Sequence, residues 1–129
     1  MIYVDSSVVL AQLLAEDRYP PADLWQAGPL VSSRLLEYEV WNRINARGLG
    51  SSLAEEVRLV LARLAFLELV QPVLTRALEP FATPVRTLDT LHLASIDFLK
   101  SLGQRPALAT YDRRLADAAI SLGIPWAAL

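Results

Sequence analysis

The fold is decided by the first ten residues, Met1-Ile2-Tyr3-Val4-Asp5-Ser6-Ser7-Val8-Val9-Leu10. The β-branched and aromatic run before the aspartate favours a buried strand, and Ser6 or Ser7 can accept hydrogen bonds from free amides at the start of a helix. We therefore predict a strand, a turn and a helix, with Asp5 at the carboxyl end of the strand. In open α/β sheets ligands bind outside these ends, so the carboxylate is placed for chemistry. The alternative is that Asp5 merely caps the helix, because aspartate is a favoured capping residue.

Length and composition predict a single domain, residues 1–129, located in the cytoplasm. A chain of 129 residues can bury most of its apolar surface without cross-links. Because it contains no cysteine, disulfides and thiolate metal sites are excluded. Hydrophobic residues make up 53% of it, but in runs shorter than a membrane span, and we expect no export signal. A net charge of −2 argues against binding nucleic acid by bulk charge alone.

Short apolar strands alternate with helices along the rest of the chain. The pattern predicts further strands at 30–31, 66–70 and 107–110. It predicts helices at about 8–15, 21–27, 34–47, 51–64, 74–81, 87–102 and 113–122, with Ser51 or Ser52 and Thr87 as caps. Helices that take turns with short, unalternating strands are typical of a parallel sheet covered on both faces.

Asp89 lies at a position where burial of its carboxylate would cost free energy. Leu93 and Ile96 follow it at helical spacing, so it shares an apolar stripe opposite the main leucine face of the helix. That main face is predicted to carry Leu88, Leu91, Leu99 and Leu102. An unpaired buried carboxylate costs several kcal/mol. Either a metal ion or an arginine such as Arg86 must compensate the charge.

Asp112 repeats the arrangement of Asp5, since a short strand and a hydroxyl residue, Thr110, precede it at the start of a helix. Two strand ends of a parallel sheet point the same way, so the two carboxylates are expected to converge on one crevice if both strands are central. The alternative is again a helix cap.

The helix after Ser33 offers Glu37 and Glu39, about 200° apart at ~100° per residue, so only one faces the crevice. Periodicity does not decide between them.

Four acidic segments carry a family resemblance. They are Tyr3-Val4-Asp5-Ser6-Ser7, Ser32-Ser33-Arg34-Leu35-Leu36-Glu37-Tyr38-Glu39-Val40, Arg86-Thr87-Leu88-Asp89-Thr90-Leu91-His92-Leu93-Ala94 and Thr110-Tyr111-Asp112-Arg113-Arg114-Leu115. In this order and in a chain of this length, they resemble the signature blocks of PIN-domain ribonucleases, in particular the VapC toxins of bacterial toxin–antitoxin pairs. The resemblance implies a PIN-domain fold, with three layers, α/β/α, around a central, mainly parallel sheet of four to five short strands.

The resemblance also assigns the site. The four catalytic and metal-binding acids of the family fall on Asp5, Glu39, Asp89 and Asp112, which leaves Glu37 as a surface or supporting residue. Thr90 replaces a commoner alanine. Ser6 and Thr110 would orient carboxylates. Asp117 is interpreted as the outer face of the last helix. His92, Trp25, Tyr38 and Trp41 are interpreted as packing residues, with a satisfied nitrogen on the histidine.

The implied activity is metal-dependent endonucleolytic cleavage of RNA that leaves a 5′ phosphate and a 3′ hydroxyl. Carboxylates about 3 to 5 Å apart need a cation to remain ionised, and hard oxygen ligands select Mg²⁺, with Mn²⁺ as the other candidate. The ion would lower the pKa of a bound water, which attacks phosphorus in line. The alternative is a catalytically silent PIN scaffold that only binds protein or RNA.

The implied partners are an RNA substrate, whether tRNA, rRNA or mRNA, a cognate VapB-type antitoxin and a second copy of the chain. The antitoxin would insert a basic side chain, usually arginine, among the carboxylates. A homodimer would let arginines of both copies border one RNA groove. The arginines that flank the four segments are the candidates for phosphate contact: Arg34, Arg43, Arg86, Arg113 and Arg114.

Overall fold

The computed structural model describes residues 1–15 and 17–129, which form four β-strands, six α-helices and one 3-10 helix. The strands are β1 (Ile2–Val4), β2 (Leu30–Ser33), β3 (Ala65–Leu67) and β4 (Ala107–Ala109). The α-helices are α1 (Ser6–Leu14), α2 (Arg34–Ala46), α3 (Ala54–Leu61), α4 (Gln71–Ala77), α5 (Thr87–Ser101) and α6 (Arg113–Ser121), and the 3-10 helix is Ala22–Gln26. None of the helices in these ranges is long and apolar enough to cross a membrane.

All strand pairs of the sheet are parallel, in the order β3-β2-β1-β4. Ile2 pairs with Leu30 on one side of β1 and with Ala107 on the other. The chain therefore moves outward from β1 through β2 to β3 and then crosses to the opposite side of β1 to form β4. The carboxyl ends of β1 and β4 form the topological switch point, which is where open α/β sheets bind ligands. β4 is the last strand in this order, and its outer side is bridged by Trp126, which pairs with Leu108. The condition that both strands are central is therefore met only by β1.

Alternation along β1 divides the interior into two cores. Val4 lies in a core with residues of α1, α2 and α3, including Val8, Leu36 and Val57. Tyr3 lies in the other core, whose members come mainly from α5, β4 and α6. Successive strand residues face opposite sides of a sheet, so the two cores mark the two helical layers. The predicted three-layer fold with a parallel sheet of four strands is confirmed.

The predicted caps of three helices are wrong. Asp5, rather than a serine, caps α1, because its carboxylate accepts a hydrogen bond from the backbone N–H of Ser7 at 3.3 Å. α3 begins after Leu53 without a side-chain cap, since the hydroxyl of Ser52 donates to the carbonyl of Leu49 instead. Thr87 is the first residue of α5, and the capping position before it has an extended backbone and no side-chain hydrogen bond.

The predicted main face of α5 is only partly correct, since Leu99 alone of its four leucines belongs to a buried core. Leu88 and Leu102 are exposed, whereas Leu93 and Ile96 on the stripe of Asp89 are completely buried. Two other elements shift along the chain. α4 begins at Gln71, three residues before the predicted start, because a proline fits the first turn of a helix. β3 ends at Leu67, since the N–H of Val70 donates to the carbonyl of Glu68 and forms a turn.

Candidate active site

A cavity of about 720 Å³ lies at the switch point of the sheet. All four predicted acids line it, each on a different element: Asp5 after β1, Glu39 on α2, Asp89 on α5 and Asp112 after β4. The fold thus brings together side chains that lie up to 107 positions apart in the sequence. Glu37 and Asp117 do not line the cavity, and each pairs with an arginine outside it, Arg34 and Arg113 respectively.

Asp5 is buried and held through one of its two oxygens. Oδ2 accepts from the hydroxyl of Ser7 at 2.7 Å and from the hydroxyl of Thr110 at 2.8 Å, in addition to the backbone N–H of Ser7. Oδ1 receives no hydrogen bond from the described residues and is available to a ligand. The supporting hydroxyl predicted on Ser6 belongs to Ser7, whereas that of Thr110 lies where it was predicted.

Thr110 connects the acids of the two strand ends. Its hydroxyl donates to Asp5 and accepts from the backbone N–H of Asp112 at 2.9 Å. Asp112 in turn caps α6, since its Oδ1 accepts from the N–H groups of Arg114 and Leu115. Asp5 and Asp112 therefore both cap a helix and line the cavity. Only one oxygen of each carboxylate makes the capping bonds, and the second oxygen of Asp112 accepts from Arg86.

Glu39 is held by His92. Oε1 of Glu39 lies 2.6 Å from Nε2 of the imidazole, and Nδ1 lies 2.7 Å from the hydroxyl of Tyr3. The prediction of a packed histidine with a satisfied nitrogen is confirmed, since His92 is completely buried and both nitrogens have partners. Burial opposes the charged imidazolium, but Tyr3 and Glu39 outweigh it and raise the pKa of His92 well above its ordinary value.

Like charges act on Asp89. Burial raises the pKa of the Asp89 carboxyl most, and the neighbouring carboxylates of Asp112 and Asp5 raise it further, while Arg86 lowers it. Arg86 lies among these acids, with Nη2 3.0 Å from Oδ2 of Asp112 and Nε 3.6 Å from Oδ2 of Asp89. His92 also lowers the pKa of Asp89. Among the described residues, Arg86 is the cation that pairs directly with Asp89 and Asp112.

The donor atoms suit a divalent cation, although they are not gathered around one point. Carboxylate oxygens are the ligands that Mg²⁺ and Mn²⁺ prefer, and the raised pKa of Asp89 shows that added positive charge would relieve repulsion. In residues 1–15 and 17–129, however, no three Asp, Glu or His side chains form a group that could hold a metal ion. The predicted close cluster is therefore not formed among the described residues, and Arg86 pairs with two of the four acids, Asp89 and Asp112.

Comparison with known proteins identifies the family. The sequence pattern described as PIN domain matches residues 2–121. The chain belongs to the PIN-domain family. It is also similar to a protein of Mycobacterium tuberculosis (strain ATCC 25618 / H37Rv) named Ribonuclease VapC46, with 37% identity over 131 residues, covering 95% of this chain and 93% of that protein. The predicted resemblance to PIN-domain VapC proteins is confirmed.

The cavity of this PIN domain includes charged residues that sequence reasoning missed. Asp17 and Arg18 line it together with the predicted Arg43 and Arg86. Arg18 donates to the carbonyl of Tyr111 at 2.7 Å and lies over its ring. No motif marks Arg18, because its contact partner is 93 positions away and the loop that carries it has no periodic pattern.

The remaining candidate arginines of the PIN domain differ in their surroundings. Arg34 covers the ring of Phe66 and pairs with Glu37 and Glu68, so its positive charge is already balanced by two carboxylates. Arg114 lies with Arg86 and Asp89 in a smaller adjoining cavity of about 270 Å³. Among the aromatic residues predicted to pack, Tyr38 is 70% exposed, which contradicts the prediction, whereas Trp25 and Trp41 lie against the core.

Proposed function

We propose that this PIN domain, spanning residues 1–129, is a divalent-metal-dependent endoribonuclease toxin whose catalytic and metal-binding residues are Asp5, Glu39, Asp89 and Asp112. The observation that carries the proposal is the meeting of these four carboxylates in one cavity at the switch point of the sheet. The similarity to a relative named as a ribonuclease supports the same activity. PIN-domain nucleases of the VapC type generally depend on a divalent metal, and Mg²⁺ or Mn²⁺ fits the oxygen donors here.

The four acidic residues have different roles in this proposal. Asp5 and Asp89 would hold the principal ion, with Asp5 oriented by Ser7 and Thr110. The cation would stabilise the charged form of Asp89, whose pKa is raised by burial and by Asp112 and Asp5. Glu39 and Asp112 complete the pocket. A bound cation supplies Lewis acidity, which lowers the pKa of water for in-line attack on phosphorus and neutralises charge on the phosphate.

Arg86 has a second role in this proposal. If a bound cation took over the neutralisation of these acids, the Arg86 guanidinium would be free to bind an RNA phosphate at the mouth of the cavity. Its side chain is 67% exposed, so this movement disturbs little packing. Arginine suits the task because its planar donors match phosphate oxygens. The cleaved bond leaves a 5′ phosphate and a 3′ hydroxyl.

The proposed partners in the cytoplasm are an RNA substrate, a VapB-type antitoxin that neutralises the enzyme, and a second copy of the chain. An arginine of the antitoxin would take the place among the carboxylates that Arg86 takes here. Large apolar side chains are exposed at Leu59 on α3 and, just after the ends of α4 and α5, at Leu78 and Leu102.

One observation favours the alternative of a silent scaffold. Within the described ranges no metal-binding group of three acids or histidines is present, and Arg86 neutralises two of the four acids. A scaffold that only binds protein or RNA would keep this arrangement permanently. The nuclease differs from the scaffold in one measurable respect, since only the nuclease requires the carboxylates to bind a cation.

The deciding experiment compares wild type with Asp5→Asn on a panel of RNAs with Mg²⁺ and with Mn²⁺, followed by sequencing of the 5′ ends of the fragments. We expect cleavage by wild type and its loss in Asp5→Asn, with unchanged circular dichroism. Glu37→Gln is the matched control, because this acid lies outside the cavity, and it should cleave like wild type. Equal behaviour of wild type and Asp5→Asn across RNAs and metals would show that the chain is a scaffold.

A further inference from the structure

An unbroken series of hydrogen bonds connects the backbone of β2 to the cavity. The backbone N–H of Ser33 donates to the hydroxyl oxygen of Tyr3 at 3.2 Å, this hydroxyl contacts Nδ1 of His92, and Nε2 of His92 contacts Glu39. Tyr3 and His92 are both completely buried. Their rings meet edge to face, with centroids 5.8 Å apart.

This series does more than the packing of the core requires. His92 lies on the buried face of α5 beside Leu93 and Ile96, where an apolar side chain would fill the space without needing hydrogen-bond partners. Tyr3 likewise belongs to an apolar core. Tyr3 and His92 are therefore two buried polar side chains that follow one another in the series of hydrogen bonds. The series ends at Glu39, a carboxylate that lines the cavity.

The series also connects three elements. β1 supplies Tyr3, α5 supplies His92, and α2, which packs in the opposite layer, supplies Glu39. A free glutamate side chain loses rotamer entropy when it is fixed. A rigid donor fixes it before any ligand arrives. Nε2 can donate to Glu39 both in the imidazolium and in the neutral tautomer that carries its proton on Nε2.

We propose that Tyr3 and His92 are positioning residues, which orient the Glu39 carboxylate so that its second oxygen, Oε2, binds the divalent cation. This inference rests on the proposed function and deepens it. Oε1 is committed to His92, as Oδ2 of Asp5 is committed to Ser7 and Thr110. Each of these two acids therefore keeps one oxygen for a ligand and uses the other to hold its orientation.

The test uses paired substitutions of His92 and measures the dissociation constant of Mn²⁺ by electron paramagnetic resonance. His92→Gln can place an amide donor near the position of Nε2, while His92→Asn can place one only near Nδ1. Loss of an orienting partner typically weakens metal binding about 10- to 100-fold. We expect that loss in His92→Asn, recovery of most of it in His92→Gln, and a weakening in Tyr3→Phe, which removes only the hydroxyl.

The outcomes separate this inference from the proposed function. If Glu39→Gln weakens Mn²⁺ binding but a folded His92→Asn binds as tightly as wild type, the positioning role is wrong and the nuclease proposal stands. If wild type binds no Mn²⁺, both are wrong. A role in stability alone would lower the melting temperatures of both His92 variants without separating their Mn²⁺ affinities.

A second measurement avoids substitution of the buried ring. His92 is the sole histidine of the sequence, so its imidazole nitrogens can be assigned without ambiguity by nitrogen-15 NMR. Mg²⁺ bound to Glu39 withdraws charge from the acceptor of the Nε2–H group, and we expect the Nε2 resonance to shift as Mg²⁺ is added. The shift should be absent in Glu39→Gln. An unchanged resonance in wild type that is saturated with Mg²⁺ would overturn the positioning role.

Discussion

Nη2 of Arg86 lies 3.0 Å from Oδ2 of Asp112, in the cavity where a divalent cation is proposed to bind. The same guanidinium lies 3.6 Å from Asp89, so one side chain neutralises two of the proposed metal ligands. In the proposed function, Arg86 and the metal ion would compete for these oxygens. Metal binding and the release of Arg86 would then be linked, and a phosphate that holds the released arginine would favour the metal-bound state.

Arg86→Gln should bind Mn²⁺ more tightly and RNA more weakly than wild type. The gain in Mn²⁺ affinity is expected to reach at most about fivefold, because an exposed ion pair contributes at most about 1 kcal/mol. The Mn²⁺ affinity is measured by titration followed by electron paramagnetic resonance. The RNA affinity is measured in the Asp5→Asn background. Wild type should also bind Mn²⁺ more tightly when RNA is present. This RNA-dependent gain in Mn²⁺ affinity should be smaller in Arg86→Gln.

Arg43→Gln is the control for that prediction. Arg43 is exposed and lines the same cavity, so the substitution removes the same charge from the same region. Contact with Asp89 and Asp112 distinguishes Arg86 from Arg43. Equal Mn²⁺ affinities of the two variants would mean that general charge, rather than the contact, controls binding.

Thr110→Val should destabilise the fold, and Thr110→Ser should recover most of the loss. Valine replaces the hydroxyl by a methyl group of similar size, which leaves the buried Oδ2 of Asp5 without this donor and the partly buried N–H of Asp112 without its acceptor. An unsatisfied buried group costs about 1 to 3 kcal/mol. Urea unfolding of the metal-free proteins measures the difference. If the valine and serine variants are equally stable, the hydroxyl does not connect the two strand ends.

The sequence patterns of single segments predicted the helices and strands of the fold, but they did not always predict which face of a helix is buried. β1, β4 and α2 could be placed within a residue or two, because an apolar run or stripe is bounded by a capping residue or a glycine. The outward face of α5 could not be predicted, since Leu88 and Leu102 are as apolar as the buried Leu93. Which stripe is covered depends on the sheet, and the sequence of one helix does not contain that information.

The same limit applies to the candidate site. Convergence of Asp5 and Asp112 follows from parallel strands that end in acids. Glu37 and Glu39 flank one apolar stripe, so only the family resemblance favoured Glu39, and the structure brings that residue to the cavity. The contact between Tyr3 and His92 joins positions 89 apart, and no local pattern predicts it. The catalytic roles of the four acids stay predictions.

Arg34→Gln should leave RNA affinity unchanged and slightly lower the melting temperature. Although Arg34 flanks one of the acidic segments, its guanidinium is occupied by Glu37 and Glu68 and lies 4.7 Å from the centre of the Phe66 ring. These contacts raise the pKa of Arg34 and lower that of Glu68 through their shared hydrogen bonds. Fluorescence anisotropy with a labelled RNA measures the affinity. A loss as large as that in Arg86→Gln would place Arg34 in the RNA groove.

Without metal, Asp89→Asn should be more stable than wild type at neutral pH, and the difference should shrink as the pH falls. Burial and the charges of Asp112 and Asp5 raise the pKa of Asp89 in the folded protein. A raised folded pKa gives stability that is complete below the unfolded value and is lost as the pH rises through the folded value. The ionised carboxylate thus opposes folding at pH 7, and asparagine removes that charge.

Thermal unfolding at pH 7 and near pH 4, close to the ordinary pKa of Asp, measures this difference with and without Mg²⁺. Mg²⁺ should raise the melting temperature of wild type more than that of Asp89→Asn, because a ligand that binds only the folded state stabilises it. Asp117→Asn removes an exposed acid outside the cavity and should show neither effect. If metal-free Asp89→Asn is less stable than wild type at pH 7, the carboxylate is already well compensated by Arg86, and the site has no deficit of positive charge for a metal ion to fill.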